Sequence, residues 1–218
     1  MYTEARKEKR CGSVRRYYNF EDIAIMLDEV LANNARFLQQ HTLSPIGHAP
    51  RKHTAVVTCM DCRLVTMFEE ALGLQRGDVL ELRTAGATIP EADRSQAAND
   101  LIRSLAGGVY LLGVRKVLVI GHTECGLGHV NPTALTSSMQ ALGVDPQKLI
   151  QEEGLGDING LMRWLGAFQD VHVNVKEVVD SIRNSPYLPR IPVHGLVIDI
   201  NTGKLTLVDR DPREASLT

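Results

Sequence analysis

TAVVTCMDCR (residues 54–63) and KVLVIGHTECG (residues 116–126) decide how this chain folds. Each opens with an apolar run of strand length and ends in a cluster of metal-type side chains. Thr54–Cys59 and Lys116–Gly121 are nearly continuous in valine, isoleucine and leucine. Such runs suit parallel strands covered on both faces, not strands with one wet side. A third run, VLELR at 79–83, lies between them. Helical spacing separates the three. Leu64, Phe68 and Leu72 recur every four residues and stop at Gly73, a C-terminal cap. Ala98, Leu101, Ile102, Leu105, Val109 and Leu112 mark a longer helix, with Asp93 and Gln96 in the spacing of its capping box. Strand–helix–strand–helix–strand implies an α/β fold with a central, mostly parallel β-sheet flanked by helices.

Outward from this core, VHGLVIDI (193–200) and Leu205–Val208 read as two closing strands, joined as an antiparallel hairpin by Asn201–Lys204. Between Gly126 and Pro192 the pattern is mostly helical. Leu161, Trp164, Leu165 and Phe168 share one apolar face; Val175, Val178, Val179 and Ile182 share another. Gly126–Pro132 reads as irregular. Gly107 and Gly108 inside a helix each cost about 1 kcal/mol relative to alanine, which close packing against the sheet explains. Upstream, FEDIAIMLDEVLANNARFLQQ (20–40) has helical spacing and ends before the two prolines and glycine of His41–Pro50. Residues 1–19 read as a basic, flexible arm, and 20–218 as one α/β domain carrying an N-terminal helical arm.

Charge and composition exclude several partners. The net charge is −2 in 218 residues, and 44% of residues are hydrophobic. Neither a nucleic acid nor an anionic membrane is called for, and the basic arm has no reading helix or aromatic platform beside it. No apolar run reaches the length of a membrane span. The arginine-rich start is followed by no apolar segment, which argues against a secretory signal. Four cysteines are too few for a disulfide scaffold; reduced thiols and a cytoplasmic setting are expected.

The chemistry gathers at two strand ends. Cys59, His122 and Cys125 offer two thiols and one imidazole, a set suited to zinc. Parallel neighbouring strands bring their carboxyl ends together, so Cys59 can meet His122 across 63 positions. Three protein ligands leave a fourth tetrahedral position for water, as a catalytic zinc requires. Asp61 can accept a hydrogen bond from zinc-bound hydroxide, and Arg63 can hold Asp61 ionised by a bidentate pair. A different class of reading uses Cys62 as well: Cys59, Cys62, His122 and Cys125 form a complete Cys3His structural zinc set. That alternative leaves Asp61 and Arg63 without a role, and a redox Cys-x-x-Cys reading ignores His122 and Cys125. His129 and His53 are candidate proton relays, each with a surface role as the simpler reading. Glu124, between two ligands, is expected to point away from the metal.

Cys-x-Asp-x-Arg at 59–63 followed by His-x-x-Cys at 122–125, with Arg83-Thr84-Ala85-Gly86 between, resembles the β-class carbonic anhydrases. The resemblance implies an enzyme, a zinc lyase that reversibly hydrates carbon dioxide to bicarbonate and a proton through zinc-bound hydroxide. It implies one Zn2+ per chain on Cys59, His122 and Cys125, a catalytic Asp61–Arg63 dyad, a substrate pocket beside Thr84, Ala85 and Gly86, and self-association as a dimer or tetramer. Cys62 and Thr84 stand where the family more often has other residues. These features are similar to the short branch that also contains carbonyl sulfide and carbon disulfide hydrolases, so hydrolysis of those substrates at the same site stands as the alternative.

Overall fold

The structure is a computed structural model that describes residues 20–90 and 99–216, with side chains described from 27 onward and up to 214. Its elements, in order, are α1 (Phe20–Gln40), β1 (Thr54–Cys59), α2 (Met67–Leu72), β2 (Val79–Thr84), α3 (Asp100–Leu112), β3 (Lys116–His122), α4 (Pro132–Ala141), α5 (Pro146–Glu152), α6 (Ile158–Trp164), α7 (Val171–Arg183), β4 (Val193–Ile198) and β5 (Leu205–Asp209). The strands form one sheet in the order β2-β1-β3-β4-β5. β1 pairs in parallel with β2 and β3, β3 pairs in parallel with β4, and only β4–β5 is antiparallel.

The order explains the continuous apolar runs. β1 lies inside the sheet and is buried at all six positions. Its residues enter two cores. Ala55 and Val57 join Val117, Val119, Val193 and Val197 under α3 and α7. Val56 and Cys59 join Ile120, Ile198, Leu64 and Phe68 on the other face. β2, at the sheet edge, is only half-buried along its length.

Glycines set how closely α7 approaches. A Cβ built on Gly121 of β3 would lie 2.7 Å from a methyl of Val171 and 2.8 Å from one of Val175. One built on Gly195 of β4 would lie 2.7 Å from Val175. Gly108 plays the same part for α3, where a Cβ would come within 2.6 Å of Leu80, whereas Gly107 faces open space. Close packing therefore accounts for one of that glycine pair.

Three sequence expectations change in detail. The four-residue apolar repeat from Leu64 does not make one helix. A 3-10 turn, Cys62–Leu64, comes first, and Thr66 with φ 66° separates it from α2. The expected capping box at Asp93 and Gln96 lies outside the described residues; α3 is capped by Asn99, whose side chain accepts the Ile102 N–H at 2.9 Å. α6 ends at Trp164, and Gly166 with φ 82° turns the chain away, so Leu165 and Phe168 belong to the following loop and Trp164 is exposed. As expected, Gly73 caps α2 in the left-handed conformation.

Candidate active site

β1 leads left to β2, and the chain then crosses to the other side of β1 to form β3. The carboxyl ends of β1 and β3 therefore flank the point where the winding reverses, the usual ligand position in open α/β sheets. Cys59 ends β1 and His122 ends β3.

Each end turns sharply for a local reason. After Cys59, the Met60 N–H donates to the Thr84 carbonyl at 2.9 Å, which keeps the chain on β2 for one more residue. The Asp61 carboxylate then accepts the Arg63 N–H at 2.9 Å and closes the 3-10 turn. After His122, the Thr123 N–H donates to the Ile198 carbonyl at 3.0 Å, and the Thr123 hydroxyl accepts the Ile200 N–H at 3.0 Å. Glu124 takes φ 54°, an uncommon conformation for a non-glycine residue, and this bend carries Cys125 back beside His122.

The sulfurs of Cys59 and Cys125 and a His122 nitrogen lie within 4.8 Å of one another, all three residues buried, a group able to hold a metal ion. The donors fit a divalent ion of borderline softness. His122 Nδ1 lies 2.8 Å from the Thr123 carbonyl, which can only accept. Nδ1 therefore carries a proton, and in the neutral ring Nε2 keeps its lone pair. That Nε2 is buried and has no hydrogen-bond partner. A buried nitrogen without a hydrogen-bond partner, beside two sulfurs, fits this group to a metal ion.

Main-chain N–H groups face both sulfurs and favour their thiolate forms. Cys59 receives main-chain N–H groups from Asp61 and Gly86, and Cys125 receives those of Leu127 and Gly128. The Cys125 thiol donates to Cys59 and pulls its pKa down to about 4, against the effect of burial and with help from His122. The same bond pushes Cys125 above its ordinary range, and burial adds to this. For His122, burial disfavours the charged form, but the Cys59 sulfur and the Thr123 carbonyl outweigh it, so its pKa is raised.

Asp61 and Arg63 form a two-pronged pair beside this group. Arg63 Nε donates to Asp61 Oδ1 at 3.0 Å, and Nη2 to Oδ2 at 2.8 Å. Arg63 also holds Asp61 down to a pKa of about 2. Arg63 Nη2 further donates to the Glu124 carbonyl at 2.9 Å, tying the β1 turn to the β3 turn. The Asp61 Oδ2 atom lies 3.8 Å from His122 Nε2.

The remaining candidates are dispersed. Cys62 is exposed and is not in the metal-type group. Thr84 sits opposite Cys59 in the β1–β2 register. Thr84 and Ala85 line a small cavity of about 190 Å³ with Thr88, Ile89 and Leu165. Gly86 is turned elsewhere: at φ 68°, its N–H faces the Cys59 sulfur, and a Cβ would lie 3.0 Å from Phe168 and 3.1 Å from Leu127. His53 and His129 are exposed. The Glu124 carboxylate accepts from Asn201 Nδ2 at 3.2 Å. The sequence reading passed over the Glu124 carbonyl as the anchor for Arg63 and Asn174 as a buried polar residue. Asn174 had a visible signal: it falls three residues after Val171 and four before Val178, in the apolar stripe of its helix.

Comparison with known proteins agrees with this geometry. The family model described as Carbonic anhydrase matches residues 54–205. Beta-carbonic anhydrase 1 of Mycobacterium tuberculosis is 31% identical over 184 residues, covering 83% of this chain and 96% of its own. The crystal structure of β-carbonic anhydrase isoform I from Trichomonas vaginalis superposes with a TM-score of 0.74 at 32% identity, covering 85% of this chain and 97% of that one. A carbon disulfide hydrolase of Acidithiobacillus thiooxidans is 29% identical over 157 residues, covering 69% of this chain and 74% of its own. The matched family model spans both strand ends that carry the cysteine–histidine group, and on that footing the chain belongs to the β-carbonic anhydrase family.

Proposed function

We propose that this chain reversibly hydrates carbon dioxide to bicarbonate and a proton, with one Zn2+ per chain on Cys59, His122 and Cys125 and with Asp61 and Arg63 serving the reacting water. The observation that carries this reading is the formed Asp61–Arg63 pair beside a buried two-sulfur, one-imidazole group. When bound, the ion supplies Lewis acidity that brings the pKa of a water toward neutrality.

The chain's own residues do the rest. The four main-chain N–H groups on the two sulfurs stabilise them as thiolates and so as ligands. The Thr123 carbonyl fixes the His122 tautomer that leaves Nε2 free to donate its lone pair. Asp61, held near 2, stays a carboxylate across the neutral range. It is therefore too weak a base to carry the proton away. Its part is to accept a hydrogen bond from the reacting water and orient that oxygen toward carbon dioxide. Arg63 keeps the carboxylate ionised and fixed, and the product proton leaves to buffer.

Three purified proteins test the reading by zinc count and stopped-flow hydration of carbon dioxide. The wild type holds one zinc and turns over. Asp61→Ala keeps its zinc and loses activity on the order of 100-fold or more, whereas Cys125→Ser loses zinc. Undiminished hydration by Asp61→Ala removes the dyad from the mechanism.

The match to a carbon disulfide hydrolase favours one second reading, attack on a linear sulfur-bearing carbon at the same site. Sulfide release from carbon disulfide and carbonyl sulfide, measured beside bicarbonate formation, separates the two. We also propose that the chain self-associates as a dimer or tetramer. Leu27, Leu31 and Leu38 form an exposed apolar stripe on α1. A groove of about 630 Å³ on one sheet face, lined by Leu72, Leu74, Leu118 and Leu196, ends in Lys52, Lys116 and Arg210. No described helix is long and apolar enough to cross a membrane, and the free thiols suit a reducing compartment such as the cytoplasm.

A further inference from the structure

Asn174 is almost fully buried in the first turns of α7, a helix whose neighbouring inward positions are valines. A buried amide is costly unless its donors and acceptor are satisfied. Here each side of the amide finds a partner. The Gly86 carbonyl can only accept, so the amide nitrogen faces it, at 3.1 Å. The amide oxygen accepts from the Thr88 hydroxyl at 2.7 Å. Gly86 and Thr88 lie in the short turn that follows β2. Thr84, where it starts, is the register partner of Cys59 and accepts the Met60 N–H at 2.9 Å, so the turn lies against the Cys59 end of β1. The Gly86 main chain helps to lower the Cys59 pKa.

The Gly86 turn needs such a clamp. Gly86 and Ala87 both have positive φ, and Ala87 has no glycine freedom. Phe168 and Leu127 close over Gly86 from one side, while Asn174 grips its carbonyl and Thr88 from another. The reach of Asn174 is set in turn by Gly121 and Gly195, which let α7 settle against β3 and β4.

We infer that Asn174 is a positioning residue for the metal group: by holding the Gly86 carbonyl, and Thr88 with it, it keeps the Gly86 N–H on the Cys59 sulfur. It touches neither substrate nor ion, and acts through one hydrogen bond to a ligand atom. The inference rests on the reading of Cys59 as a ligand and extends it to a second layer, where removal of a supporting partner typically lowers metal affinity about 10- to 100-fold.

The test uses the full chain, stripped with chelator and titrated with Zn2+ in competition with a chromophoric chelator, and with Co2+ to read the sulfur-to-metal charge-transfer band. Asn174→Leu keeps the volume and removes the clamp. Its zinc dissociation constant should rise about 10- to 100-fold, with a shifted or weakened cobalt band. Thr88→Ser, which retains the hydroxyl, should bind like the wild type, and Thr88→Val should fall between. A purely structural role lowers the melting temperature of the metal-free protein but leaves the band of the folded variant in place. Unchanged zinc affinity and an unchanged cobalt band in Asn174→Leu overturn the inference. If that variant does not fold, the Thr88 pair decides, and equal affinity of Thr88→Val and Thr88→Ser overturns it. Should the wild type itself take up neither ion, the ligand reading of Cys59 fails, a result distinct from failure of the clamp.

Discussion

Gly121→Ala is the substitution that most directly probes how the sheet and α7 were fitted together. The added methyl would stand 2.7 Å from Val171 Cγ2 and 2.8 Å from Val175 Cγ2. Ordinary contact begins near 3.4 Å, so a gap of about 0.6–0.7 Å must open. Neither neighbour yields easily, because valine in a helix has one strongly preferred rotamer. Val175 is fully buried, and its other methyl already rests on Gly195. The helix must therefore lift, and overpacking of this kind typically costs about 1–3 kcal/mol. For a chain of this size each kcal/mol lowers Tm by about 2–4 °C, so a fall of roughly 2–12 °C follows. The assay is calorimetry of the metal-free protein at one fixed concentration, since self-association makes Tm concentration-dependent. The same substitution should raise the zinc dissociation constant, since lifting α7 draws Asn174 away from Gly86. Val175→Ala supplies the control. It should cost less stability in the Gly121→Ala background than in the wild type, because it vacates the space the new methyl needs. A Tm within 1 °C of wild type, or full additivity of the two changes, refutes the close-fit account.

Asp211 is buried, bonded to Arg213 at 2.6 Å and to the Val193 N–H at 2.9 Å, and Arg213 holds its carboxyl well below the usual carboxylate range. A depressed folded pKa stabilises fully above the unfolded value of about 4 and is lost as pH falls below it. Asp211→Asn should therefore cost about 3–5 kcal/mol at pH 7 and progressively less below pH 4, as read by urea unfolding at both pH values. Cys62→Ser should keep its zinc in full; loss of zinc would restore the Cys3His structural reading. Phe68→Ala empties a fully buried position in the core that also contains Cys59 and Cys125, and should cost about 3–5 kcal/mol by denaturant unfolding. Leu31→Asp on the exposed stripe of α1 should shift the chain toward monomer in light scattering; an unchanged mass moves the subunit contact elsewhere.

Much of this arrangement is legible in the amino-acid sequence. Thr54–Cys59 and Lys116–His122 could be read as inner parallel strands because neither run leaves a polar side for water, and the sheet buries both. The meeting of Cys59 with His122 and Cys125 followed from the same assignment, since neighbouring parallel strands share a carboxyl end. What stayed hidden depends on main-chain atoms, which a pattern of side chains does not encode. The Glu124 bend, with its carbonyl turned to Arg63, is one such case. The break at Thr66, a non-glycine residue with φ 66°, is another. Resemblance groups Thr84, Ala85 and Gly86 beside one pocket; the left-handed turn at Gly86, which no side-chain pattern encodes, separates it from the cavity that Thr84 and Ala85 line.

The order of strands has a consequence for how the enzyme is made. Cys59 leaves the ribosome long before His122 and Cys125, and nothing local can bring them together. Their meeting awaits β1–β3 pairing, a non-local closure of the slow-forming kind. A nascent chain emerging to β2 thus carries Cys59 without either of the two residues that later gather beside it. On the proposed zinc reading, capture of the ion would be a late event of biosynthesis and would then rivet the two strands whose union created its site.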